Sequence, residues 1–196
     1  MKSLPNKFIF PLYRYILPPS NPLSKIGFSL NKPGSISIGQ DEICVAKGAC
    51  KLHTYGLINC LAVGGIFPYE NFSFLTHRSP KHVQYLTADT KKCISKITPH
   101  NNLLQGDFCI FRLSDSKVED LSYEIGNTSY SYDGLIHDFL VNHLQDCYPN
   151  CNVHILPYEP FYTRIGLMDK RLSGGLAIVN PKRGVFETSL ELVSIH

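Results

Sequence analysis

Apolar and polar positions along the chain predict mainly strands. Residues 72–77 alternate as a half-buried strand does, with Phe72, Phe74 and Thr76 on one side. Short apolar runs bounded by turn residues predict further, more deeply buried strands. The predicted strands are 42–46, 58–67, 72–77, 107–113, 152–156, 175–179, 185–188 and 190–195.

Two other stretches carry the apolar period of a helix. The first begins at Ser79-Pro80, where Ser79 is the predicted N-cap and the proline suits the first turn. The second covers 134–147, ends before Pro149 and has the clearer apolar face. Many strands with two inserted helices predict an α+β fold, with mixed, sandwich-like β-sheets and helices packed outside.

The length of 196 residues favours one well-cored domain. Residues 1–36 carry six prolines and little periodicity, so we expect a proline-rich N-terminal arm followed by a single domain over 37–196. The prolines also interrupt any signal-peptide core, and no apolar run approaches the ~20 residues that cross a bilayer. We therefore expect a protein that is cytoplasmic where it is made and has no stable membrane insertion.

Composition and charge argue against several classes of function. A hydrophobic fraction of 43% and a charged fraction of 18% are ordinary for a globular protein. The net charge of +3 is small and scattered, which argues against nucleic acid as a partner. Seven cysteines at irregular spacing predict reduced thiols rather than a disulfide framework. No glycine-rich phosphate loop is present, and we expect no cofactor.

The run TYGLINCLAVGGIFPYENFSFLTHRSP, residues 54–80, holds the best candidate for chemistry. A hairpin there would bring His77 close to Cys60, and a histidine is the usual base for a thiol nucleophile. Thr54 could orient the imidazole, and the turn with Ile58 and Asn59 could aim backbone N–H groups at an oxyanion. The alternative is that Cys60 is only a small apolar residue of the core.

The same run resembles the CheD family of chemoreceptor glutamine deamidases. TYGLINC is similar to the family signature T-L-G-L-G-S-C, with Thr54, Gly56, Leu57 and Cys60 at matching offsets. A histidine and a following proline stand where the family has them, and Ile58 and Asn59 replace a glycine and a serine. Weaker similarity continues through YLTADTKKCISKI, LLQGDFCIF and SGGLAIVNPKRGVFET, the last containing Gly174-Gly175. Toxin deamidases such as cytotoxic necrotizing factor share the Cys–His pair and a short L-x-x-C turn.

The resemblance implies a fold and an activity. The chain would adopt a CheD-like fold and hydrolyse a glutamine side chain of a partner protein, with Cys60 as nucleophile, His77 as general base and acid, and Thr54 as the third residue. No cofactor or metal is implied, and we expect a monomer. The setting would be either an effector acting on a host protein or chemotaxis, with receptor glutamines as substrate. Transglutamination, proteolysis and a catalytically inactive, protein-binding relative remain alternatives.

Two other groups of residues are further candidates for a functional role. His143 and Cys147 have the i, i+4 spacing of a zinc site, with Cys151 and His154 nearby, but packing is the preferred interpretation, and a Cys147–Cys151 disulfide is a further alternative. The second group, Asp133, His137 and Asp138, lies near the start of the second helix. Carboxylates there suit the helix dipole, so capping is the preferred interpretation, and contact of one of the three with the site is the alternative.

Overall fold

A computed structural model describes residues 15–16, 34–95, 103–114, 122–159, 161–165, 169–173 and 175–195, with only the backbone described at 15–16, 161–165 and 169–173. Within these ranges most of the chain is strand, and the fold is of the mixed α+β kind. The strands of the described residues, in chain order, are β1 (Tyr15–Ile16), β2 (Ser35–Ile38), β3 (Ile43–Lys47), β4 (Lys51–Leu57), β5 (Leu61–Phe67), β6 (Phe72–Arg78), β7 (Gly106–Leu113), β8 (Ser122–Ile125), β9 (Thr128–Ser131), β10 (Cys151–Tyr158), β11 (Phe161–Ile165), β12 (Asp169–Ser173), β13 (Gly175–Asn180), β14 (Val185–Thr188) and β15 (Leu192–Ser194).

The first sheet has the strand order β1-β3-β6-β5-β7-β10. Strands β5 and β6 form an antiparallel hairpin in which Ala62 lies opposite His77 and Phe67 lies opposite Phe72. Strand β7 runs antiparallel to β5, and β10 joins it in parallel. The sheet is therefore mixed, and the β5–β6 hairpin lies at its centre.

The second sheet has the strand order β15-β14-β13-β4-β2. Thr54 of β4 lies between Ile38 of β2, which pairs in parallel, and Ala177 of β13, which pairs antiparallel. Two separate hairpins, β8–β9 and β11–β12, complete the pairing among the described strands. Strand β2 begins at Ser35, so the expected boundary between residues 36 and 37 falls inside a strand of this sheet.

The two sheets pack face to face, as expected for a sandwich-like fold. Gly64 of β5 marks a close approach, because a Cβ there would lie 2.5 Å from Cγ2 of Val179 in β13 and 3.1 Å from the Phe111 ring. Only glycine permits that spacing without a shift of its neighbours. His77 faces the same way as Gly64, since the register places Gly64 opposite Leu75 and side chains two positions apart share a face.

Helices cover the outer face of the first sheet. A 3₁₀ segment, Pro80–Tyr85, leads into α1, Leu86–Ser95. A longer helix has an α-helical start, Tyr132–Gly134, a π-helical middle, Leu135–Val141, and an α-helical end, Asn142–Cys147. Both predicted helices are thus present, and the second begins two residues before its predicted start.

An aromatic cluster fills the space between this outer face and the helices. Phe67 stacks on Phe72 with ring centroids 4.5 Å apart and meets the Phe108 ring edge-on at 5.2 Å. Phe108 in turn lies 5.3 Å from the ring of Tyr148, just beyond the longer helix. Buried aromatic rings of this kind supply a large share of the stability of a core.

Several boundaries differ from the prediction. The expected strand over 58–67 begins only at Leu61, since residues 58–60 form a turn. Gly56 and Leu57, expected in that turn, belong to β4. The predictions missed β1, β2, β4, β8, β9, β11 and β12 as strands. The predictions for residues 1–14, 17–33 and Gly174 lie outside the described residues.

Two further expectations, on membrane insertion and on disulfides, concern the helices and the cysteines. The helices that the structure describes are too short or too polar to cross a bilayer. All seven cysteines lie in the described ranges, and each is a free thiol.

Candidate active site

Thr54 and His77 meet across the gap between the two sheets. The Oγ1 atom of Thr54 lies 2.8 Å from Nδ1 of His77 and 2.9 Å from the carbonyl oxygen of Ile38. Thr54 and His77 are completely buried. The sequence placed both residues in one site, and the structure brings them into direct contact.

This contact fixes the tautomer of the imidazole. The Thr54 hydroxyl has one proton, and its carbonyl neighbours, Ile38 and at 3.5 Å Tyr55, can only accept. The hydroxyl therefore donates to a carbonyl and accepts from Nδ1–H of His77, which leaves the lone pair of the neutral ring on Nε2. That Nε2 atom is buried and has no hydrogen-bond partner within the described ranges.

Cys60 directly precedes β5, and extending the alternation of that strand by one residue would place it on the same face as His77. His77 is opposite Ala62, and Cys60 precedes Ala62 by two residues, so their side chains would be diagonal neighbours. Diagonal neighbours have Cβ atoms ~7 Å apart, a distance that an imidazole ring can span. The thiol is 2% exposed, and its backbone carbonyl accepts a 2.6 Å hydrogen bond from the Tyr158 hydroxyl.

The turn before Cys60 places one residue in a left-handed backbone conformation. Asn59 has φ of +54°, in the left-handed region, where glycine and asparagine are the residues best tolerated. Asparagine therefore suits this position. Ile58 instead presents its carbonyl oxygen to the thiol, with Sγ of Cys60 3.3 Å away. A carbonyl is an acceptor, so this contact holds the thiol proton and supplies no donor to an oxyanion.

Burial makes both partners neutral in the resting site. It raises the pKa of the Cys60 thiol to about 11, and the negative charge of Asp41 adds to the rise. It also lowers the pKa of the His77 imidazole to about 4, although the Asp41 carboxylate opposes that change. At neutral pH the site therefore holds a thiol and a neutral base rather than a preformed thiolate–imidazolium pair.

Asp41 is a charged neighbour that the sequence did not single out. Its carboxylate accepts hydrogen bonds from the backbone N–H of Ser79 at 3.1 Å and from the Ser79 hydroxyl, and lies 3.1 Å from Nδ1 of His82. Ser79 thus precedes the first helical turn as predicted, but its hydroxyl binds Asp41 and does not cap the helix. The charge of Asp41 favours a protonated His77, the form needed once the thiol proton has been transferred.

Tyrosines near Cys60 were also missed. Tyr158 holds the Cys60 carbonyl, and the rings of Tyr123 and Tyr132 lie 5.8 Å apart beside the same site. The chain has eleven tyrosines without a pattern that marks these three, and their positions depend on the pairing of distant strands. Only the structure could identify them.

The other candidate groups form ordinary local contacts. Nε2 of His143 lies 3.7 Å from Sγ of Cys147, whereas His154 lies 2.8 Å from the Asp107 carboxylate. Cys147 and Cys151 are not bonded to each other. Among the described residues, no group of three or more His, Cys, Asp or Glu side chains is arranged to hold a metal ion.

At the start of the longer helix, Ser131 accepts a 3.1 Å hydrogen bond from the Gly134 backbone. Asp133 lies in the first turn, as expected, and its carboxylate is 3.1 Å from the Arg112 guanidinium. His137 and Asp138 lie on the same helix and are not buried. Asp133 is therefore paired with Arg112, and among the described residues none of these three side chains forms a hydrogen bond with Cys60.

The chain matches no protein-family model and, in sequence, no curated protein.

Proposed function

We propose that this protein is a glutamine deamidase that converts a glutamine side chain of a target protein to glutamate through a thioester on Cys60. The observation that carries the proposal is the Thr54–His77 hydrogen bond of 2.8 Å, because it leaves Nε2 of the imidazole as a buried, available base on the face where the alternation of β5 would place Cys60. The resemblance of TYGLINC and His77 to the CheD signature supports the same assignment.

In the first half-reaction the thiol sulfur attacks the side-chain carbonyl carbon of the glutamine, and its proton moves to Nε2 of His77. A neutral thiol next to a neutral base suits a transfer that accompanies the formation of the S–C bond. The tetrahedral intermediate then collapses, the C–N bond breaks, and the proton on Nε2 passes to the leaving nitrogen, which departs as ammonia. A thioester remains on Cys60.

In the second half-reaction His77 removes a proton from water, which attacks the thioester carbonyl carbon. The C–S bond breaks, the proton returns to sulfur, and a glutamate is released. Thr54 keeps Nδ1–H bonded throughout, so the same nitrogen accepts and donates the proton in both halves. The charge of Asp41 stabilises the imidazolium that exists between these transfers.

Exposed apolar side chains beside the turn support a protein as the substrate. Tyr55 is 57% exposed and Ile58 is 36% exposed, and both lie within five residues of Cys60. Large apolar residues on a surface are typical of protein–protein contacts. A target protein that binds to Tyr55 and Ile58 would present a glutamine side chain to the turn before Cys60.

The test is a mass measurement on candidate targets. A deamidated target gains about one dalton and releases one ammonia per glutamine, and Cys60→Ala should produce neither change. Receptor cytoplasmic domains and host signalling proteins form the two target panels, which distinguish a chemotaxis setting from an effector setting. Added diamine would give a heavier adduct if the thioester is resolved by an amine, and a cleaved backbone would indicate proteolysis. Turnover by Cys60→Ala equal to the wild type would overturn the assignment.

A second candidate is a protein-binding module without catalytic activity. The burial of Cys60 and its raised pKa favour this alternative, because a catalytic thiol is commonly exposed and of lowered pKa. The reaction of Cys60 with iodoacetamide separates the two. We expect alkylation to increase when a target protein is bound, whereas a binding module would keep Cys60 unreactive in both states.

A further inference from the structure

Three tyrosines lie around Cys60, each on a different element. Tyr158, on β10, donates its hydroxyl to the Cys60 carbonyl oxygen at 2.6 Å. Its partner in the β7–β10 register is Leu113, whose backbone N–H donates to the Tyr132 hydroxyl at 2.7 Å. The ring of Tyr132 lies 5.8 Å from that of Tyr123, on the β8–β9 hairpin. These contacts link Tyr123 to the residues around Cys60, and Tyr123 is near enough for a charge on Cys60 to act on it.

The hydroxyl of Tyr123 differs from the other two. Tyr123 is 7% exposed, and among the described residues its hydroxyl has no hydrogen-bond partner. A buried hydroxyl left without a partner costs roughly 1–3 kcal/mol, so each such group calls for an explanation. Nε2 of His77 is in the same condition. The site therefore holds a buried base and a buried hydroxyl, both without partners.

The charge of Cys60 also reaches this phenol. Burial raises the pKa of Tyr123 to about 12, and the negative charge of a Cys60 thiolate adds to the rise. The Tyr123 hydroxyl is consequently protonated at neutral pH. It can donate or accept a hydrogen bond while it keeps its proton. A reaction at Cys60 that creates negative charge would strengthen a hydrogen bond from this hydroxyl.

A side-chain donor fills a need that the turn leaves open. The carbonyl of Ile58 faces the thiol, and a carbonyl cannot stabilise an oxyanion. We propose that the Tyr123 hydroxyl donates a hydrogen bond to the substrate's side-chain carbonyl oxygen and to the oxyanion formed when Cys60 attacks. This inference rests on the proposed deamidation. The phenol keeps its proton throughout, so no additional acid or base is required.

Tyr123→Phe is the direct variant, since it removes only the hydroxyl without a partner. We expect kcat for deamidation to fall ~100–1000-fold with little change in KM, as for the loss of an oxyanion donor. The melting temperature should stay the same or rise, because no hydrogen bond of the fold is lost. Tyr132→Phe is the matched control: it removes a hydroxyl bonded to Leu113 and should lower the melting temperature instead.

The decisive experiment uses two reagents and does not depend on turnover. A blocked peptide carrying an aldehyde in place of the glutamine amide adds to Cys60 as a hemithioacetal, whose oxygen occupies the position of the oxyanion. Iodoacetamide alkylates the same sulfur without creating an oxyanion. Tyr123→Phe should weaken aldehyde binding ~10-fold or more and leave the alkylation rate unchanged.

Each other outcome has a definite meaning. Equal aldehyde binding by the wild type and Tyr123→Phe would remove Tyr123 from the site and leave the deamidase proposal standing. An equal loss of aldehyde binding and alkylation would mean that Tyr123 only supports the structure. If Cys60 of the wild type reacts with neither reagent, the deamidase proposal fails, and the role of Tyr123 fails with it.

Discussion

His77 and Arg78 are consecutive, completely buried residues of β6 that point to opposite faces of the first sheet. Arg78 faces the helices, where its Nε donates to the Asp89 carboxylate at 2.5 Å and its Nη1 donates to the Asp41 carbonyl at 3.2 Å. His77 faces the second sheet, where Thr54 holds one ring nitrogen.

The two residues differ in their charge and in the groups that they contact. Arg78 is a permanent cation that a buried carboxylate neutralises, which is a structural arrangement. His77 is neutral, and its Nε2 has no partner within the described part of the chain. Two neighbours of one strand thus hold different groups: a buried ion pair on the outer face and, on the inner face, a neutral imidazole with one bonded ring nitrogen. Among the described residues, Nη2 of Arg78 and Nε2 of His77 each lack a hydrogen-bond partner.

The largest effect is expected on the His77 face. Cys60→Ala should lower deamidation ~10³-fold or more, because the loss of a nucleophile removes the covalent route. Cys50→Ala is the matched control, a buried thiol that donates to the Lys51 carbonyl. It should retain activity. Mass spectrometry of the target measures both, and equal activity of the two variants would remove the distinction between the faces.

On the other face the large effect is on stability. Arg78→Met should lower the free energy of unfolding by about 3–5 kcal/mol, because the Asp89 carboxylate stays buried without its guanidinium. The double variant Arg78→Met/Asp89→Leu should recover part of that loss. Urea unfolding measures both. A single variant as stable as the wild type would contradict a structural role for the pair.

Acid should destabilise the protein through His77. The folded-state pKa of about 4 lies below the unfolded value of 6.5, so the unfolded chain binds more protons between these limits. Stability is therefore complete above pH 6.5 and declines as the pH falls towards 4, by on the order of 3 kcal/mol.

His53 and His143, whose pKa values burial also lowers, contribute in the same direction. The relevant measurement is therefore a difference: His77→Gln should show a shallower decline of unfolding free energy with falling pH than the wild type. Parallel curves would mean that His77 titrates normally.

A smaller effect is expected at Thr54. Thr54→Val should cost roughly 1–3 kcal/mol of stability and also reduce kcat, since Nδ1–H of His77 loses its acceptor. Thr54→Ser should restore both. Thr76→Val is the control, because its hydroxyl bonds the Val63 backbone on the outer face. Thermal melts and kcat together separate the variants, and a loss of kcat in Thr76→Val equal to that in Thr54→Val would contradict the model of a fixed tautomer.

The smallest effect is expected at Asn59. Asn59→Ala should destabilise the protein by about 1 kcal/mol, because alanine is disfavoured at φ of +54°, whereas Asn59→Gly should be nearly neutral. Differential scanning calorimetry can resolve these shifts. An alanine variant as stable as the glycine variant would mean that the turn relaxes into another conformation.

The sequence was informative where local rules dominate. The alternation at 72–77 located β6, the apolar period located the longer helix, and the run that was singled out contains Thr54 and His77, which are in contact. A hairpin is a local structure, so the pairing of β5 with β6, which begins directly after Cys60, followed from strand assignment.

Long-range pairing set the rest of the site. Strand β2 was hidden in a proline-rich stretch, yet its Ile38 carbonyl is what orders the Thr54 hydroxyl. Tyr158 reaches Cys60 from 98 positions away along the chain, and no local pattern encodes that contact. The sequence also did not reveal the protonation states of Cys60 and His77. Burial in the packed sandwich raises the pKa of Cys60 and lowers the pKa of His77.

The Thr54–His77 contact joins residues from different sheets, and this has a consequence for when the site becomes active during the life of the chain. The β5–β6 hairpin can form early, because its contacts are local; it contains His77 and begins directly after Cys60. The imidazole acquires its fixed tautomer only after β4 docks at the spacing that Gly64 allows. In a newly made or partly unfolded chain, His77 therefore lacks its Thr54 partner and its fixed tautomer. Under the proposed function, the site becomes competent only after the two sheets have packed together.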